Sequence, residues 1–110
     1  MALEYAVVNL LENAVKYGAG TSNVVTVSVS VQRGYGVISV RDCGIGISAA
    51  DIPHIFDKFY RGRTEGRPLN GFGLGLAIVR STVLVHGGRI AVESQPGLGS
   101  EFTVWLPLLA

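Results

Sequence analysis

The sequence predicts an α+β domain: a two-layer α/β sandwich in which a mixed, mostly antiparallel sheet carries helices on one face. Three observations point there. Residues 2–17 and 74–85 carry apolar residues at helical spacing. Four shorter stretches alternate apolar and polar residues, which gives each strand one covered and one wet face. The order of elements is helix, two strands, short helix, loop, helix, two strands, which describes a two-layer sandwich rather than a doubly wound sheet.

Each element has its own signal. In residues 2–17, Leu3, Ala6, Val7, Leu10 and Ala14 share one helical face, while Asn9, Asn13 and Lys16 form a polar stripe. Gly18 and Gly20 stop this helix. Residues 24–31 read as a half-buried strand, with Val25, Val27, Val29 and Val31 on the covered face. Arg33-Gly34 marks a hairpin turn into a strand over 36–42, where Ile38 and Val40 face the core. Asp42 has the same parity, so a carboxylate points to the covered side and needs a partner. Ser48, with Asp51 three residues on, predicts the N-cap of a short helix reaching His54. Residues 57–72, rich in Arg and Gly, read as a long mobile loop. The second main helix ends at Gly87-Gly88, and strands over 89–95 and 101–106 follow, joined by Pro96-Gly97-Leu98-Gly99.

Bulk properties narrow the function. A chain of 110 residues is one domain, and 48% apolar with 15% charged residues excludes a disordered segment. A net charge of +1 argues against a broad nucleic-acid surface, though not against one small anion site. The single cysteine, Cys43, has no internal disulfide partner and fits a reducing cytoplasm. No run of 18 apolar residues is present, and direct membrane contact is not expected. The chain opens inside helical periodicity, which reads as a cut from a longer protein.

Four segments could carry chemistry. Asn9 and Asn13 lie one helical turn apart; amide oxygens are hard ligands suited to Mg²⁺, and Lys16 could neutralise phosphate, whereas the plainer reading is a solvated helix face. In Asp42-Cys43-Gly44-Ile45-Gly46, the carboxylate can accept a hydrogen bond from an exocyclic amine such as that of adenine, and the glycines allow a tight turn and close approach of a flat ring; an Asp-capped turn is the alternative. Gly71-Phe72-Gly73-Leu74-Gly75-Leu76 runs into a helix whose first amides favour phosphate, but it matches neither the dinucleotide fingerprint nor the P-loop. In Ile55-Phe56-Asp57-Lys58-Phe59-Tyr60-Arg61 the aromatics could pack on the core while Arg61 reaches a phosphate. His54 and His86 sit in no triad, and His86 suits a helix C-terminus. Ser100 could line a pocket or simply belong to a turn.

Together and in this order, these segments resemble the ATP-binding domain of sensor histidine kinases, in the superfamily that includes gyrase, Hsp90 and MutL and shares the Bergerat fold. Asn9 to Tyr17 looks like the N box, Asp42 to Gly46 the first glycine box, Phe56 to Arg61 the F box and Gly71 to Leu76 the second glycine box; the ending from Gly97 through Phe102 to Pro107 also fits. The resemblance implies ATP and Mg²⁺ as ligands. It makes Asn13 the main metal ligand with Asn9 in support, and puts Lys16 and Arg61 on phosphates. Tyr17 would flank the adenine and Asp42 accept its amine, with Ile47 and Phe102 as apolar walls. Gly44, Gly46, Gly71, Gly73, Leu74, Gly75, Leu76 and Ser100 complete the implied nucleotide site, and residues 57–72 become an ATP lid. The implied partners are a histidine-bearing dimerisation domain of the parent kinase and, downstream, a response regulator.

Two departures bear on activity. The ATPase branch carries a glutamate where this chain has Asn9; an amide is a poor base, which favours phosphoryl transfer over hydrolysis. The family's strand and helix ahead of the N box and its phosphoacceptor domain are missing, so autophosphorylation by this chain alone is not expected. An anti-sigma-factor serine kinase and a non-catalytic nucleotide-binding module are the competing readings; the F box disfavours the first and the intact motifs the second.

Overall fold

The computed structural model describes residues 2–18, 24–57, 63–64, 67–68 and 75–108. Helix α1 spans Ala2–Gly18, strand β1 Val25–Gln32 and strand β2 Tyr35–Asp42. A two-stranded ladder, β3 (Arg63–Thr64) with β4 (Arg67–Pro68), lies inside the segment expected to be one long loop. Helix α2 covers Gly75–Val85, followed by β5 (Arg89–Gln95) and β6 (Gly99–Pro107). The main sheet has the order β1-β2-β6-β5. The expected mixed sheet is antiparallel throughout its described strands. The last hairpin sets this topology: β5 forms the far edge and β6 turns back to fill the gap beside β2, so the sequence-final strand becomes an inner one.

The register divides the helix-facing side of the sheet into rungs. Val40, Phe102 and Val92 form one, and Ile38, Val104 and Ile90 the next. Against them pack Ala6, Leu10 and Ala14 of α1 and Leu76, Val79 and Val83 of α2, all buried. Periodicity thus locates the Ala6-Leu10-Ala14 face of α1 correctly. Helix α2 ends as expected at Gly87-Gly88: the Gly88 N–H donates to the Val83 carbonyl and the Gly87 N–H to that of Leu84, which closes the last turn. The His86 side chain adds a third bond, with Nδ1 donating to the Thr82 carbonyl at 2.8 Å.

Two local expectations are corrected. Strand β1 is not half-buried: Val25 alone is partly covered, and Val29 and Val31 are 76% and 71% exposed although they face the helix side. The helices lie over the inner strands and β5 and reach β1 only at its Val25 end, which leaves the rest of β1 uncovered. The helix expected after Ser48 is only a turn and a single 3₁₀ turn, Ile52–His54. Ser48 does cap the turn, accepting from the Asp51 N–H at 3.3 Å and donating to its carboxylate at 3.0 Å. Pro53 then removes a backbone donor in a segment too short to sustain an α-helix. The wet face of the sheet also holds a buried apolar side chain, Val37, beside Trp105, whose ring lies 4.1 Å from the Arg89 guanidinium carbon.

Candidate functional site

At one end of the sheet the apolar rungs give way to a polar one. Asp42 of β2 pairs with Ser100 of β6, and Ser100 with Ser94 of β5, so three polar side chains stand in a row on the helix-facing side. Asp42 is 3% exposed and Ser100 8%. Strand β6 begins at Gly99, two residues before the expected start, and this brings Ser100 into the ladder opposite Asp42 rather than leaving it in a turn. A shallow depression of about 640 Å³ lies over the rung, with Ile52, Val92, Leu98 and Gln95 on its walls.

The Asp42 carboxyl is held from two sides. The Gly44 N–H donates to Oδ1 at 2.9 Å, and the Ser100 N–H also donates to the carboxyl group. Burial nevertheless pushes its pKa above the ordinary carboxylate value, because loss of hydration outweighs both backbone bonds. A buried acceptor whose held partners are backbone N–H groups rather than an ion pair is suited to a neutral donor group such as an amine.

The glycine turn after Asp42 is clamped to the β5–β6 hairpin. The Gly97 N–H donates to the Ile45 carbonyl at 2.7 Å, and the Ile47 N–H to Ser94 Oγ at 2.7 Å. Gly46 has φ +74° and lies so close to the Gln95 carbonyl that a Cβ would collide with it; a Cβ on Gly99, at φ +100°, would meet the Asp42 carbonyl. Gly44, Gly46 and Ile47 are all buried. Phe102 forms part of the core beneath, with Phe56 edge-on to it at a centroid separation of 6.2 Å. The expectation that the aromatic segment anchors on the core therefore holds for Phe56.

On α1, Asn9 and Asn13 are partly buried beside the Ala6-Leu10-Ala14 stripe. Asn9 Nδ2 is buried and has no hydrogen-bond partner among the described residues. No group of three acidic, His or Cys side chains capable of holding a metal occurs among the described residues. The side-chain amide oxygens of Asn9 and Asn13 are a donor set of the kind a hard cation such as Mg²⁺ takes, since it binds few protein oxygens and completes its shell with phosphate and water. The set does not fit Zn²⁺. Gly75 opens α2 and Leu76 is buried in the core. Lys16 and Tyr17 lie on the last turn of α1, their side chains outside the described residues; Arg61, Gly71, Gly73 and Leu74 are likewise outside them, as is most of the expected lid over 57–72. His54 Nδ1 lies 3.2 Å from Asp57 Oδ2 on the surface.

Sequence reasoning missed Ser94, Val92 and Ile52 as parts of this site. For Ser94 the signal was parity: it follows Ile90 and Val92 on the core face of β5 and is the one polar residue among the three.

A family model for the histidine kinase-, DNA gyrase B- and HSP90-like ATPases matches residues 1–110. The chain belongs to this family. Among curated relatives, it is 39% identical over 109 residues to the sensor histidine kinase RcsC of Escherichia coli K12, covering 98% of this chain and 11% of that protein. It is 44% identical over 107 residues to the sensor-like histidine kinase SenX3 of Mycobacterium tuberculosis, covering 94% of this chain and 25% of the relative. Among solved structures, the mycobacterial sensor histidine kinase MprB superposes with a TM-score of 0.81 at 33% identity, covering 96% of this chain and 72% of that one. Full-length ShkA in complex with AMPPNP gives the same TM-score at 31% identity, covering 96% of this chain and 21% of ShkA. The family's ATP-binding catalytic domain of sensor-kinase type is thus the identity of this fold, and the chain spans a quarter or less of the curated relatives just compared. No helix among the described residues is long and apolar enough to cross a membrane.

Proposed function

We propose that this domain binds Mg-ATP with the adenine over the polar rung and donates the γ-phosphoryl group to a histidine on a separate dimerisation and phosphoacceptor domain. The observation that carries this reading is Asp42: a buried carboxyl at a sheet end, fixed by two backbone N–H groups and one rung along from Val40, Phe102 and Val92. An acceptor so placed reads the exocyclic amine of adenine, while apolar neighbours take the ring faces. ShkA, a relative of the same fold, was solved with an ATP analogue. Asn13, supported by Asn9, would hold Mg²⁺ through amide oxygens, and the metal would neutralise charge on the phosphates. Lys16, Tyr17, Arg61, Gly71, Gly73 and Leu74 keep their expected roles around the nucleotide in this proposal. Asn9 offers an amide and not a carboxylate, which disfavours activation of water and leaves a supplied histidine as acceptor.

Calorimetric titration of the chain with a non-hydrolysable ATP analogue tests the binding half. Mg²⁺-dependent binding is expected, and Asp42→Asn is expected to weaken it about ten-fold, the loss of one buried hydrogen bond to a charged group. A folded chain that shows no binding would overturn the reading. The transfer half is tested by adding the parent kinase's histidine-bearing domain with γ-labelled ATP and following acid-labile, base-stable label on that domain.

A further inference from the structure

Ser94 has one hydroxyl and three close polar neighbours. Its Oγ lies 2.7 Å from the Ile47 N–H, 2.8 Å from the Gly99 carbonyl oxygen and 2.8 Å from Ser100 Oγ. A hydroxyl has one hydrogen to give and two lone pairs to accept with. The Gly99 carbonyl can only accept, so it takes the Ser94 hydrogen. The Ile47 amide can only donate, so it takes one lone pair. The remaining lone pair then serves Ser100, which must be the donor in that contact. The Ser100 hydrogen is thereby committed to Ser94, and Ser100 Oγ presents only lone pairs to its other side, next to the Asp42 carboxyl in the same rung.

We propose that Ser94 is a positioning residue of the base pocket: its hydroxyl holds the glycine turn at Ile47 and fixes Ser100 Oγ as an acceptor, so that the pocket selects a base edge carrying an amino group over one carrying a carbonyl. This role rests on the nucleotide-binding reading and deepens it. Two acceptors side by side, Asp42 and Ser100, repel a carbonyl oxygen that brings no hydrogen. Without the Ser94 hydroxyl, Ser100 regains a hydrogen that can turn toward such an oxygen, and the discrimination falls.

The test is calorimetric titration of the full chain with the β,γ-imido analogues of ATP and ITP, which differ along one edge of the ring: an amino group beside a ring nitrogen with a lone pair, against a carbonyl beside a ring N–H. The wild type is expected to favour the adenine analogue. In Ser94→Ala that preference should shrink about ten-fold, on the scale of one or two hydrogen bonds, with the adenine analogue weakened and the hypoxanthine analogue relatively favoured. Ser94→Thr keeps the hydroxyl and should restore the wild-type preference. Should Ser94→Ala fail to fold, Ser100→Ala decides, since it removes the fixed acceptor directly and is expected to narrow the preference as well. A wild type that binds while the folded variants keep its preference overturns the Ser94 role alone, even where affinity drops. A folded wild type that binds neither analogue overturns the nucleotide reading and this role with it.

Discussion

At the scale of single residues, the candidate site combines groups that cost stability with groups that supply binding. Asp42 ionises above its ordinary value of 3.8 in the folded chain, because burial outweighs the N–H groups of Gly44 and Ser100. The unfolded chain ionises at the ordinary value, so folding favours the protonated acid. Its contribution to stability is greatest below that value and declines as the pH rises through it to the raised one. Nucleotide binding has the opposite sign, since the ionised group is the better acceptor. Analogue affinity is therefore expected to rise with pH across the acid range, while Asp42→Asn abolishes that dependence and removes the falling component from the thermal stability of the free chain. Parallel calorimetric and thermal-unfolding titrations check this, and a wild-type affinity flat in pH would contradict it. Asn13→Ala isolates the metal: affinity in the presence of Mg²⁺ is expected to fall to the level measured without it, with the Mg²⁺-free affinity nearly unchanged. An unaltered Mg²⁺ dependence would remove Asn13 as a ligand and leave the base pocket intact.

At the scale of elements, the site is made where the glycine turn meets the β5–β6 hairpin. Their contact is so close that Gly46 and Gly97 have different tolerances despite similar backbone angles, +74° and +81°. A methyl at Gly97 enters open space and carries only the cost of the left-handed conformation, about 1 kcal/mol. A methyl at Gly46 collides with the Gln95 carbonyl as well, and Gly46→Ala is expected to cost about 3 kcal/mol or more. Urea unfolding of the two variants measures the difference, and equal losses would show that the turn can move off the hairpin freely. The sequence made both elements legible, through Gly and Pro punctuation and through strand parity. Their contact was not legible, because nothing in residues 43–47 indicates which hairpin lies against them. Ser94 escaped notice for the same reason: its parity was readable, but its partners come from 47 positions away in the chain and from the far side of a turn.

At the scale of the molecule, the two helices cover part of the sheet, and burial follows position under them rather than hydrophobicity. Val79 is fully buried and Val29 is 76% exposed, although both are valines on apolar faces of regular elements. Val79→Ala is expected to cost about 2 kcal/mol, the transfer of two methyl groups plus a small cavity. Val29→Thr should change stability by no more than about 0.5 kcal/mol. Denaturant midpoints decide, and a large loss at Val29 would mean that its face is covered in solution. The sequence by itself determined the α+β class, the buried face of α1, the positions of the hairpins and the inward parity of Asp42, since each depends on local periodicity and turn chemistry. Only the tertiary structure decided that β6 lies between β2 and β5, that Ser100 stands in the ladder between Asp42 and Ser94, and that β1 extends past the helices. These depend on which segments meet across long stretches of chain, and such pairings are fixed by the packing of the whole rather than by any residue's neighbours in sequence.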